Sequence, residues 1–165
     1  MRRIFAVCTL VGLTLAAACG GDKSGSTTEP GQTTNLVTNG TFSATINNTA
    51  WSGVGRVAVS KSTNSLVAVA AVSPTYAITF GISPLTAPGT FSLAYLNPAG
   101  SLAIVSQSTA GGGWTTFAQG GTGSITITTY TANRIAGTFA FDAVAVSGGA
   151  TGTTRVTNGT FDVTY

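Results

Sequence analysis

The chain has 165 residues, of which 7% are charged and none is histidine, and its formal net charge is +3. A typical soluble domain carries about 25% charged residues, so Ser, Thr, Gly and Ala do most of the wetting here. Without histidine the usual general base and the commonest metal ligand are gone, and the cations Arg56, Lys61, Arg134 and Arg155 stand singly, forming no basic patch that nucleic acid would require.

Arg2 and Arg3 are followed by an uncharged run from Ile4 to Ala18. A short basic start and an apolar stretch of this length form the pattern of an export signal, too short to be read first as a spanning helix. The run ends in Leu15-Ala16-Ala17-Ala18-Cys19-Gly20, with small residues before the cysteine as a narrow peptidase pocket requires. This segment resembles the lipobox of bacterial lipoproteins, although Ala16 stands where Leu or Val is usual. The resemblance implies that residues 1–18 are a signal peptide and that Cys19 is lipidated. It implies export to the cell envelope, with the membrane as first partner, and Gly20 in place of Asp implies the outer membrane. Several acyl chains on one residue anchor stably where a single chain binds only marginally. An ordinary secretory signal leaving Cys19 as a free thiol is the alternative. On the lipoprotein reading Cys8 leaves with the signal and Cys19 is modified, so the mature chain forms no internal disulfide. Loss of Arg2 and Arg3 lowers the net charge to about +1 by simple counting.

Residues 19–35 are expected to be the lipidated cysteine and a flexible linker, because Gly20 to Asn35 contains no apolar residue that could offset its ordering entropy. From Leu36 the hydrophobic period becomes two, and residues 36–165 are predicted to be a single all-β domain. Phe42, Ala44 and Ile46 mark one strand, Asn47-Asn48-Thr49 a turn, and Trp51 to Ser60 a second strand. Leu66 to Val72 and Tyr76 to Ile82 flank Ser73-Pro74, where a proline suits a strand end. Phe91 to Leu96 and Leu102 to Ser106 flank Asn97-Pro98-Ala99-Gly100, a strong turn signal. Trp114 to Ala118, Ser124 to Tyr130, Arg134 to Val146 and Arg155 to Tyr165 complete the set. No segment of the mature chain has a helical period. The expected architecture is therefore all-β, an antiparallel β-sandwich or small closed barrel of about ten short strands.

Val37-Thr38-Asn39-Gly40-Thr41-Phe42 recurs as Val156-Thr157-Asn158-Gly159-Thr160-Phe161, and Gly-Thr-Phe returns at 89–91 and 137–139. The spacing is too irregular for a solenoid or propeller. It is reused strand grammar, in which Gly permits a bulge or kink, Thr faces out and Phe plants the strand in the core.

Little chemistry is available. Of the acids Asp22, Glu29, Asp142 and Asp162, the first two lie in the linker. Asp142 and Asp162 each follow a phenylalanine near the chain end, so alternation turns them to solvent and away from a paired-carboxylate role. Lys61-Ser62-Thr63-Asn64 is a polar hairpin loop, and the Gly-rich stretches 110–113 and 120–123 lack the lysine and helix of a phosphate loop. No two acids lie close enough to suggest a calcium loop, and neither metal nor cofactor is expected. The aromatics leave one opening. Trp114 and Phe117 fall on opposite faces of a regular strand, and Tyr130 is out of phase with Ile125 and Ile127, so Trp114 and Tyr130 are candidates to stack on a sugar or peptide.

The stretch Ser124-Ile-Thr-Ile-Thr-Thr-Tyr-Thr-Ala-Asn-Arg-Ile-Ala-Gly-Thr-Phe-Ala-Phe141, the closing Val156 to Tyr165 and the early Ile46-Asn-Asn-Thr-Ala-Trp51 resemble uncharacterised bacterial lipoproteins with a β-rich domain of unknown function. The resemblance implies fold and address and brings no catalytic residue. The expectation is a non-enzymatic structural or interaction module, lipid-anchored at the envelope, whose glycan or protein partner is open. A glycan- or peptide-binding module and a small outer-membrane barrel are the alternatives. The terminal Phe161, Val163 and Tyr165 favour the barrel; strands mostly shorter than the span requires weigh against it.

Overall fold

A computed structural model describes residues 33–37, 40–53, 57–61 and 66–165. The expected signal peptide, Cys19 and the expected linker up to Gln32 lie outside the described residues. The described chain is all-β and antiparallel, with no helix. Twelve strands follow in order: β1 (Thr33–Val37), β2 (Gly40–Ile46), β3 (Thr49–Ser52), β4 (Val57–Lys61), β5 (Val67–Val72), β6 (Tyr76–Ile82), β7 (Gly89–Ser92), β8 (Leu102–Gln107), β9 (Gly113–Thr115), β10 (Thr122–Tyr130), β11 (Arg134–Ser147) and β12 (Thr153–Thr164).

Ten strands lie on one hydrogen-bonded path, β1-β4-β5-β6-β8-β9-β11-β12-β2-β3, and β10 and β7 branch from β11. The branch explains the curl into a half-barrel. The first part of β11 pairs with β10, from Ile135↔Tyr130 to Asp142↔Thr122, and its last part pairs with β9 at Ala145↔Trp114. One 14-residue strand thus belongs to two wings, and register shifts along it supply the bends.

Alternation builds the strands. In β5 every second residue is buried, and in β6 the same period places Ile78, Phe80 and Ile82 inward. The expected turns form for chemical reasons. Asn47 and Asn48 both take positive φ, at 47° and 67°, in a two-residue hairpin closing Ile46 against Thr49. Asn97 to Gly100 makes a turn closed by the Gly100 N–H donating to the Asn97 carbonyl at 3.0 Å.

Several expectations change. Strand β7 stops at Ser92 instead of reaching Leu96, and β9 covers Gly113–Thr115 where Trp114 to Ala118 was expected. The segment Trp51 to Ser60 is two strands: β3 pairs with β2 at one end of the sheet path, while β4 lies between β1 and β5 at the other. β1 begins at Thr33, inside the stretch read as linker, because its backbone pairs with β4 from Thr33↔Lys61 to Val37↔Val57.

The core lies where the wings face each other. Phe42 of β2 stacks on Phe80 of β6 at 5.8 Å between ring centroids, and Phe80 meets Phe139 at 4.7 Å and Phe141 at 5.9 Å. Such offset and edge contacts add to the burial of large apolar rings. Buried polar groups are paired across the same space: the Trp51 Nε1–H donates to Ser73 Oγ at 2.8 Å, tying β3 to the β5–β6 turn. Among the described residues no buried side-chain nitrogen or oxygen lacks a partner.

Candidate functional site

The repeated Gly-Thr-Phe triplets explain how the site is built. The copies in β11 and β12 run antiparallel and interlock, with Gly137 opposite Phe161 and Phe139 opposite Gly159. A Cβ at Gly159 would sit 2.3 Å from the Phe139 ring, and one at Gly137 would sit 2.2 Å from the Thr126 carbonyl oxygen and 3.1 Å from the Phe161 ring. Each glycine therefore makes room for the phenylalanine opposite. The third interlocking Phe is Phe42, directly opposite Phe161 and 5.7 Å from it.

With glycine and phenylalanine pointing inward, the middle threonine of each triplet points out. Cross-strand pairing aligns Thr90 with Thr126, Thr126 with Thr138, Thr138 with Thr160, and Thr160 with Ser43, whose own partner in β3 is Ser52. One row of hydroxyls crosses six strands, a span of about 24 Å at the usual interstrand spacing. Thr90 and Thr126 are linked Oγ1 to Oγ1 at 2.9 Å, as are Ser43 Oγ and Thr160 Oγ1. Three of the four threonines come from Gly-Thr-Phe triplets, so the repeat was the sequence signal for this face; what the sequence lacked was the register that aligns them.

A shallow groove of about 410 Å³ sits on the row, lined chiefly by Ser124, Thr126, Thr138, Ala140, Asn158 and Thr160. It opens where β12 bulges. Two residues, Thr157 and Asn158, face the single Ala140, and Asn158 takes a φ of 52° that asparagine tolerates. The lining is hydroxyl, amide and small apolar groups, and the hydroxyls and the amide can donate to or accept from a neutral polar ligand.

Charge flanks this groove but is spent within the protein. The Arg134 guanidinium grips Asp162 with Nε–H to Oδ1 at 2.9 Å and Nη2–H to Oδ2 at 2.6 Å, and Arg155 grips Asp142 at 2.9 and 3.0 Å. These hydrogen bonds hold both carboxyls below their ordinary pKa, with desolvation opposing and charge attraction reinforcing. Asp162 is opposite Ala136, six positions along β11 from Asp142, so the two acids are about 20 Å apart along the ladder. A glycosidase pair needs them within about 10 Å. Among the described residues no three His, Cys, Asp or Glu side chains gather in a metal-binding group.

The candidate aromatics do not form a platform. Trp114 is 9% exposed, lies in the core cluster and donates its Nε1–H to the Thr151 carbonyl at 3.2 Å; the face open to solvent is that of Phe117. Tyr130 is half-buried and packs against the core. Their partners on β11, Ala145 and Ile135, are ten residues apart, roughly 30 Å along the strand, so the two rings share no site.

Residues 38–163 match a family described as a domain of unknown function, DUF6252. No curated protein and no solved structure matches the chain.

Proposed function

This chain belongs to the DUF6252 family, and from that premise we propose that it is a lipid-anchored envelope protein whose β-domain works by binding rather than by catalysis. The observation that carries the reading is the hydroxyl row with its groove, a built surface with no reactive group in it. The nearest acids are ionised and committed to arginines, so neither is poised to donate a proton at neutral pH. Hydrolysis of an envelope polymer that vanished in Asp142→Asn or Asp162→Asn protein would replace this reading with an enzymatic one.

A neutral, hydroxyl-rich ligand such as a glycan fits the groove best, because the lining offers hydroxyl and amide groups and no charged side chain. A glycan array probed with the wild type and with Thr138→Val and Thr160→Val variants tests this. Binding that weakens in both variants supports it, and equal binding by all three proteins excludes this groove.

Anchoring rests on Cys19 and the apolar run before it. Metabolic labelling with a fatty acid should mark the wild type and not Cys19→Ser, which should leave the membrane fraction. Cys19→Ser protein that stayed with the membrane through a carbonate wash would favour the outer-membrane barrel instead. The two facing wings, joined by rings such as Phe42 and Phe80, favour a sandwich folded from one sheet over a closed barrel.

A further inference from the structure

Three exposed apolar side chains gather at one corner of the domain: Tyr95 (41% exposed), Leu96 (69%) and Phe117 (50%). Single exposed leucines are ordinary; this cluster is not, for two reasons. Tyr95 and Phe117 meet edge to face at 6.4 Å, and their loops are knitted by the Tyr95 N–H donating to the Gly121 carbonyl at 3.0 Å. Leu96 is also held at a φ of 57°, a left-handed conformation that costs a residue with a Cβ and that turn chemistry normally gives to Gly or Asn. The next residue fixes that conformation: Asn97 donates its side-chain amide to the Ser92 carbonyl and accepts the Ala99 N–H on Oδ1 at 3.0 Å. Strain of this kind persists where surrounding structure holds it and collects at sites of contact.

We propose that Tyr95, Leu96 and Phe117 form a tip that inserts into the lipid bilayer interface beside the anchor. The identity of the occupant rests on the anchoring reading above, and two features support it. The first is position. Thr33 of β1 is opposite Lys61, Lys61 is opposite Val67, Val67 is opposite Ile82, and the neighbouring Gly81 is opposite Leu102, while Ile104 is opposite Thr115. The chain therefore enters the domain at the same end of the sheet from which the Tyr95–Leu96 and Phe117 loops hang. The 13 residues from Gly20 to Gln32 can span at most about 45 Å, which keeps that end within reach of the membrane. The second is charge. No Asp, Glu, Lys or Arg lies between Lys61 and Arg134, so nothing charged on these loops must be desolvated as the tip enters, and an aromatic ring with one polar end suits the headgroup boundary.

Co-sedimentation of the mature chain carrying Cys19→Ser with phosphatidylcholine vesicles tests the tip without the anchor. The chain should bind these neutral vesicles, with no gain from anionic lipid and no loss in high salt. Leu96→Asn should lower the partition constant by about tenfold while leaving thermal stability equal or higher, because asparagine relieves the strained φ; Phe117→Ser should weaken binding similarly. No binding to neutral vesicles, binding that needs anionic lipid, or equal binding by both variants would overturn the proposal. The anchor is tested separately by the mass of the mature N-terminus. An unacylated Cys19 with intact vesicle binding would remove the anchor and keep the tip, and an acylated Cys19 with no vesicle binding would do the reverse.

Discussion

The β5–β6–β8 wing and the β11–β12–β2 wing bury their inner faces with different materials. The first uses Val67, Val69, Ala71, Ile78, Ile82, Ala103 and Val105, side chains that fill an alternating strand without help from the neighbour. The second uses Phe42, Phe139, Phe141 and Phe161, and across the β11–β12 ladder a glycine faces both Phe139 and Phe161. These glycines are Gly159 and Gly137. The outer faces differ too: the aliphatic wing lies in the stretch without charge, while the aromatic wing carries both arginine–aspartate pairs. Aromatic packing thus makes its strands mutually dependent through glycine–phenylalanine pairs that the aliphatic wing does not use.

The sharpest way to break this contrast is Phe80→Ala. Phe80 belongs to β6 but is fully buried among Phe42, Phe139, Phe141 and Phe161, so its loss should cost about 4 kcal/mol in urea unfolding. Gly137→Ala comes next. The added Cβ meets the Thr126 carbonyl, which belongs to backbone and does not swing away, so about 3 kcal/mol should be lost. On the aliphatic side, Ile78→Val, equally buried and two residues from Phe80, should cost only about 1 kcal/mol. A loss as large as that of Gly137→Ala would erase the distinction between the wings.

The smallest effect concerns the ion pairs. Folding lowers the carboxyl pKa of Asp142 and Asp162 from 3.8 through their arginine partners. The stability they add is therefore complete above that unfolded value and is lost as pH falls below it through the lower folded one. Both pairs are exposed, so the loss is slight. Unfolding curves at neutral pH and near pH 2 should differ less for Arg155→Gln than for the wild type, and an equal difference would show that the pair contributes nothing.

Strand content was legible because period two is a local signal. Asn47-Asn48, Asn97 to Gly100 and the two long closing strands all declare themselves within a few residues. The break after Trp51 did not, because Gly53, which backs onto Ala71, carries no proline or asparagine, and the alternation on either side is continuous. Phe91 to Leu96 was also expected as one strand, whereas β7 stops at Ser92 and Leu96 sits in a turn. Nothing in a leucine itself announces positive φ; the hydrogen bonds that hold it are local, from Asn97 to Ser92 and from Ala99 to Asn97, but they form only once the loop has closed. For the candidate site the residues were visible as Gly-Thr-Phe repeats, but a row exists only once register is known, and register here depends on strands drawn from the whole length of the chain. Trp114 illustrates the converse. Alternation put Trp114 and Phe117 on opposite faces only if one strand ran through both. Strand β9 stops at Thr115, Phe117 lies in the turn beyond it, and the placement of β9 between β8 and β11 puts the tryptophan inside.

The position of β12 between β11 and β2 has a consequence for how the molecule comes into being. Ser43 and Thr160 touch although 117 residues separate them, so the ladder at the middle of the aromatic wing joins strands synthesised far apart. Until β12 leaves the ribosome, β2 has only β3 beside it and Phe42 lacks the Phe161 ring it faces across the ladder. Closing so long a loop makes slow folding the expected course, and it leaves the middle of the aromatic wing open until β12 has been made.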